Sequence, residues 1–104
     1  MIGPGLLESV YVECLGMELE QAGIPFESQA PIPVIYKGRT ILLGFRADIL
    51  VDNAIILEIK AVALLLPAHE AQLLTYLRMS RISVLLLMNF HARLLKDGLL
   101  RFVI

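Results

Sequence analysis

The sequence predicts an α/β or α+β domain with the element order α-β-β-β-α-β-β. Three observations carry that expectation: a helical apolar pattern at the start, a proline cluster followed by strand-like runs, and a proline-initiated helix between two apolar strands. The chain has 104 residues, which suits one domain spanning residues 1–104.

Pro4 and Gly5 precede helical periodicity from about Leu6 to Ala22, which Gly23 is placed to cap. Ser9, Glu13, Gly16 and Glu20 form a polar stripe, opposite a broad apolar side of Leu7, Val10, Tyr11, Cys14, Leu15 and Ala22. Glu8 falls within the arc of Tyr11, Leu15, Leu19 and Ala22, so it is a candidate inward-facing carboxylate. A first-turn acid complementing the helix dipole is the plainer explanation. Pro25, Pro31 and Pro33 forbid helix, and Gln29–Tyr36 reads as an edge strand, where proline is tolerated. Lys37-Gly38-Arg39 turns into a strand at about 40–50. Asp52-Asn53 marks the next turn, and 54–62 the third strand. Pro67 opens a helix over 67–80. Residues 82–88 read as a strand buried on both faces, 89–97 as loop, and 98–103 as a last strand.

Composition excludes several classes. The apolar fraction is 58%, above the ~45–50% of ordinary domains. The longest apolar runs, Ala61 to Leu66 and Val84 to Met88, fall far short of the ~18 residues of a membrane span. No signal-peptide pattern is present. The surplus apolar surface is expected to meet another protein surface, most simply a second copy in a homodimer. Cys14 is the one cysteine, so intrachain disulfides and cysteine metal sites are excluded and a reducing, cytoplasmic setting fits. Residues 1–36 hold five acids and no Lys or Arg, whereas 37–104 hold all nine basic residues against five acids, leaving one basic side.

The chemistry concentrates in FRADILVDNAIILEIKAV, residues 45–62. Alternation puts Arg46, Asp48 and Leu50 on one face and Phe45, Ala47, Ile49 and Val51 on the other. On the partner strand Ile56, Glu58 and Lys60 share a face. A three-residue turn pairs Val51 with Ile55, Asp48 with Glu58 and Arg46 with Lys60, and keeps one face of both strands apolar. A one-residue slip would bury the charges. Two facing carboxylates repel unless a cation lies between them. A hard divalent ion takes carboxylate oxygens, and Lys60 is placed to orient water or stabilise charge on a phosphate. Ordinary salt bridges among Arg46, Asp48, Glu58 and Lys60 would give the same spacing. On the second helix His69, Gln72 and Tyr76 share a face. Gln72 and Tyr76 are candidates for holding substrate or for a flanking polar residue and a core aromatic, and His69 reads as a surface residue.

The segment Gly5-Leu-Leu-Glu8-Ser-Val-Tyr11, with GFRADILVDNAIILEIKAV, PAHEAQLLTYL and LLKDG, resembles the GxxExxY proteins of the PD-(D/E)xK nuclease superfamily over nearly the whole chain. The resemblance implies a restriction-endonuclease-like mixed sheet of about five strands flanked by helices. It makes Asp48 the superfamily aspartate, Glu58-Ile59-Lys60 the (D/E)xK element, and Glu8 the helical acid. Gln72 and Tyr76 look like the QxxxY motif of RecB-type nucleases, and Tyr11 and Arg46 join them as candidates for positioning substrate. It further implies Mg²⁺ or Mn²⁺ held by Asp48, Glu58, Glu8 and the Ile59 carbonyl, and phosphodiester hydrolysis of DNA, with RNA as the alternative. A catalytically silent nucleic-acid binder, a protein-binding module and a dimerisation module remain as other readings. Family members usually carry a further helix before the Gly-Pro-Gly, which this sequence is expected to lack, and often an acid where Ala63 stands.

Overall fold

The computed structural model describes residues 4–91 and 98–104, with the side chains of 4–6 and 42–44 left aside. Met1, Ile2 and most of the loop expected over 89–97 lie outside the described residues. The elements run α1 (Pro4–Gln21), β1 (Phe26–Tyr36), β2 (Arg39–Val51), β3 (Ile55–Lys60), α2 (Pro67–Met79), β4 (Val84–Asn89) and β5 (Leu99–Val103). This is the expected order. It is a mixed α+β architecture consistent with the restriction-endonuclease-like fold.

The five strands form one sheet in the order β1-β2-β3-β4-β5. Neighbours are antiparallel except β3 and β4, which are parallel because α2 carries the chain back across the sheet. The helices lie on opposite faces. One core layer joins Leu73 and Leu77 of α2 to Ala30, Ile32, Ala47, Leu50, Ile56, Leu85 and Leu87. The other joins Val12 of α1, flanked by Tyr11, Leu15 and Leu19, to Ile49, Leu57 and Ile59. β3 is therefore buried on both sides, which explains its near-continuous apolar sequence. Among the described residues, no helix is long and apolar enough to cross a membrane.

Local chemistry sets the boundaries. α1 ends in a Schellman motif: Gly23, with φ of +72°, donates to the Glu20 carbonyl, and the Ile24 N–H reaches back to Leu19. β1 is an edge strand with Pro31 and Pro33 side chains exposed. The β2–β3 turn closes through Ala54 N–H to Val51 O at 2.9 Å, with φ of +52° at both Asp52 and Asn53. Pairing begins at Val51 with Ile55, so the loop counts three residues as expected.

Two expectations about faces fail. Gly16, placed on the polar stripe, is buried, while Leu7, Val10, Cys14 and Ala22, placed on the apolar side, are exposed. α1 is apolar on most of its circumference, so periodicity gives little direction. The missing side chain of Gly16 decides instead, since a Cβ there would stand 3.3 Å from the Phe26 ring. In β2 the alternation breaks at Asp48, for Ala47 packs into the α2 layer and Ile49 into the α1 layer. Opposite this point Gln29 adopts φ of +53°, and the β1–β2 ladder skips from Ala30–Ala47 to Ser28–Ile49. The left-handed residue lets both strands turn over there. The rotation frees Asp48 from an ordinary place on either face.

Candidate active site

Asp48 lies where β2 and β3 part company. The ladder runs Val51–Ile55, Leu50–Ile56, Ile49–Leu57 and stops one step short of Asp48 and Glu58. Their carboxylates take over the bonding. Asp48 Oδ2 accepts from the Ile59 N–H at 2.7 Å, and Glu58 Oε1 accepts from the Asp48 N–H at 3.3 Å. Each acid is thus fixed by the other's strand, and each keeps one oxygen outside these bonds. The expected opposition of Arg46 to Lys60 does not follow, because the ladder ends first. Arg46 is exposed and pairs through its backbone with Pro31.

Glu8 reaches the same region from α1. Its Oε2 accepts from the Ala61 N–H at 2.9 Å, just beyond Lys60. Glu8 lies on the packed side of its helix with Tyr11, Val12, Leu15 and Leu19, as expected of an inward acid, although Ala22 does not share that side. Lys60 is half-buried at the end of β3 and makes no ion pair with another described residue, nor does Arg46. Surface salt bridges therefore do not account for the charges.

Electrostatics ties the four groups together. Glu58 is 6% exposed, and its carboxyl is pushed up to about 8, first by burial and then by the Asp48 charge. Asp48 is also raised by burial, against the Ile59 N–H and the Lys60 charge, which lower it. Lys60 lowers both acids and Glu8 raises both. Two close, partly desolvated carboxylates are thus left with a shortage of positive charge.

Among the described residues no group of three or more His, Cys, Asp or Glu side chains is arranged to hold a metal ion. The Asp48–Glu58 pair still fits a hard divalent cation, which commonly takes one or two carboxylates with water completing its shell. Glu8, spent on Ala61, stands outside that pair.

The neighbouring segment is held by a residue the sequence did not flag. Asn89 Oδ1 accepts from the N–H groups of Val62 and His91, and Asn89 Nδ2 donates to the Val62 carbonyl. The Phe90 N–H donates to the Lys60 carbonyl at 2.8 Å, and the Phe90 ring stacks on Tyr11 at 4.3 Å between centroids. The signal for Asn89 was present: it is the first polar residue after the apolar run of β4. On the α2 side of the sheet, Tyr76 stacks on Phe45 at 4.6 Å, three residues before Asp48. Gln72 and His69 are exposed, and neither side chain makes a hydrogen bond among the described residues.

A family model described as the PD-(D/E)XK nuclease superfamily matches residues 1–102. No curated protein and no solved structure matches the chain.

Proposed function

The chain belongs to the PD-(D/E)XK nuclease superfamily, and from that premise we propose that it is a divalent-metal-dependent nuclease acting on DNA, with RNA as the alternative substrate. Nucleases of this superfamily generally use divalent metals. Asp48 and Glu58 hold the ion, Mg²⁺ or Mn²⁺, with the Ile59 carbonyl completing the protein ligands and Glu8 bordering them. The ion would supply Lewis-acid charge stabilisation on the phosphate and a more acidic bound water.

The chain's own groups do the rest. The bonds from Ile59 and Asp48 N–H groups fix the two carboxylates before any ligand arrives. Lys60 orients the attacking water and offsets charge on the phosphate. Tyr76, its ring held on Phe45, and Gln72 position substrate from α2. Tyr11 and Arg46 do so from α1 and β2. A cytoplasmic homodimer that pools two basic sides belongs to the same reading.

The observation that carries this proposal is the Asp48–Glu58 pair, each carboxylate held by a backbone N–H of the other's strand, with Glu58 raised to about 8 by burial and Asp48. Cleavage of labelled DNA and RNA with Mg²⁺ or Mn²⁺, compared with Asp48→Ala and Lys60→Ala, tests it. Loss in both variants supports the site, and cleavage surviving both removes it.

A second reading has its own support. The lack of a cluster of three metal-binding side chains among the described residues favours a nuclease-fold protein that binds nucleic acid without cutting. Retention of labelled DNA with no Mn²⁺ heat in calorimetry would select that reading.

A further inference from the structure

The two edges of the sheet are built differently. β1 carries Pro31, Pro33 and a register shift between Ile32 and Val34, devices that stop another strand from adding. β5 has none of them. It contains no proline and one charge, Arg101, and Leu99, Leu100, Val103 and the following Ile104 are exposed by 39%, 36%, 53% and 51%.

The phase of β5 follows from one bond. Ile104 N–H donates to Ser83 O at 3.0 Å, in line with the Val84–Val103 register. Antiparallel ladders alternate, so Leu100, Phe102 and Ile104 turn their backbone groups to β4. Leu99, Arg101 and Val103 turn theirs to the open side, where the described residues provide no partner strand.

We propose that β5 pairs antiparallel with β5 of a second copy about a two-fold axis at Phe102, joining the two sheets edge to edge. An axis at Arg101 would set two guanidinium groups directly opposite, which is destabilising. The axis at Phe102 places Arg101 across from Val103 in both directions, and these are the outward-facing, hydrogen-bonding pairs. It faces Phe102 with Phe102 in the closer, non-bonded type of pair and Leu100 with Ile104, so apolar side chains meet apolar ones. The strand is self-complementary in a way an unrelated partner need not be. The proposal is independent of catalysis: its failure would remove this dimer and leave the Asp48–Glu58 site and its cleavage test standing.

One short strand gives an interface near or below ~1,200 Å², the size of weak and transient contacts, so association is sought over a wide concentration range. Light scattering of the full chain between about 5 and 200 µM, with reductant present, is the test. Wild type is expected to rise from 11.6 kDa towards twice that mass. Val103→Pro removes an outward N–H while leaving the β4 ladder intact, and is expected to stay monomeric with an unchanged circular-dichroism spectrum. Val103→Lys, facing Arg101, should weaken association several-fold, and Val103→Glu should strengthen it. That opposed pair decides the matter if the proline variant fails to fold. Wild type monomeric throughout, lysine and glutamate variants behaving alike, or a dimer broken instead by Met17→Glu on the exposed side of α1, would each overturn the proposal.

Discussion

The Asp48 carboxylate and the Ile59 amide are joined by a 2.7 Å hydrogen bond across the point where β2 and β3 separate. A side chain thus takes the place of a strand's backbone acceptor. Asp48→Asn keeps an acceptor for Ile59 and is expected to fold with wild-type stability or better, because it removes a repulsive charge beside Glu58. Asp48→Ala orphans the Ile59 N–H and is expected to cost about 1–3 kcal/mol. Thermal melts of the two variants should separate by several degrees, with asparagine the higher. Both should lose metal-dependent cleavage.

Glu58 makes stability depend on pH in an unusual direction for an acid. Its carboxyl titrates near 8 in the folded chain against an ordinary 4.5, so the folded state retains a proton that the unfolded state releases. Stability is therefore full below the ordinary carboxylate range and falls as pH rises through about 8, by on the order of a few kcal/mol. Melting temperatures measured in chelator from pH 5 to 9 should fall across that window. Glu58→Gln should flatten the curve, and Mn²⁺ should raise the alkaline side in wild type but not in the variant.

Asn89 clamps the segment after Lys60 with three hydrogen bonds, two to Val62 and one to His91. Asn89→Ala is expected to cost about 1–3 kcal/mol, softened by water that can reach this half-buried site. Asn89→Asp keeps the acceptor, loses the donor to the Val62 carbonyl, and should cost less. Amide exchange at Val62 should accelerate in both, most in alanine.

The element order, the edge position of β1 and the three-residue turn were legible because each rests on local chemistry: prolines at 31 and 33, Asp52-Asn53 at the turn, and Glu58 and Lys60 two residues apart in β3. The Asp48–Glu58 juxtaposition followed from that turn. What was hidden depended on distant residues. The break in alternation at Asp48 answers to Gln29, a strand away, and nothing in Gln29's own neighbourhood announces a left-handed backbone. The buried side of α1 answers to Phe26 seated on Gly16. Asn89 matters through a loop 27 residues upstream.

Gly16 sets how closely α1 approaches β1. A Cβ at 3.3 Å from the half-buried Phe26 ring requires only a small shift of a side chain, and alanine adds up to about 1 kcal/mol of helix propensity. Gly16→Ala should thus be neutral to mildly stabilising. Gly16→Leu overfills the contact and should cost about 1–3 kcal/mol. Melting curves check both, and amide exchange at Ala61 should report whether leucine loosens the Glu8 bond at the other end of the helix packing.

Glu8 separates holding from charge. Its bond to the Ala61 N–H spans 53 residues and pins α1 to the end of β3. Glu8→Gln retains an acceptor of the same length, so its melting temperature should match wild type, whereas Glu8→Ala should lose about 1–3 kcal/mol. The negative charge also acts on both Asp48 and Glu58, raising each. An anion bordering a cation site increases affinity for the cation, so glutamine should weaken Mn²⁺ binding roughly tenfold, ~1.4 kcal/mol, while leaving the fold unchanged. Calorimetry on the two variants distinguishes the roles. If glutamine binds Mn²⁺ as wild type does, Glu8 serves only to anchor the helix and Asp48 and Glu58 hold the ion by themselves.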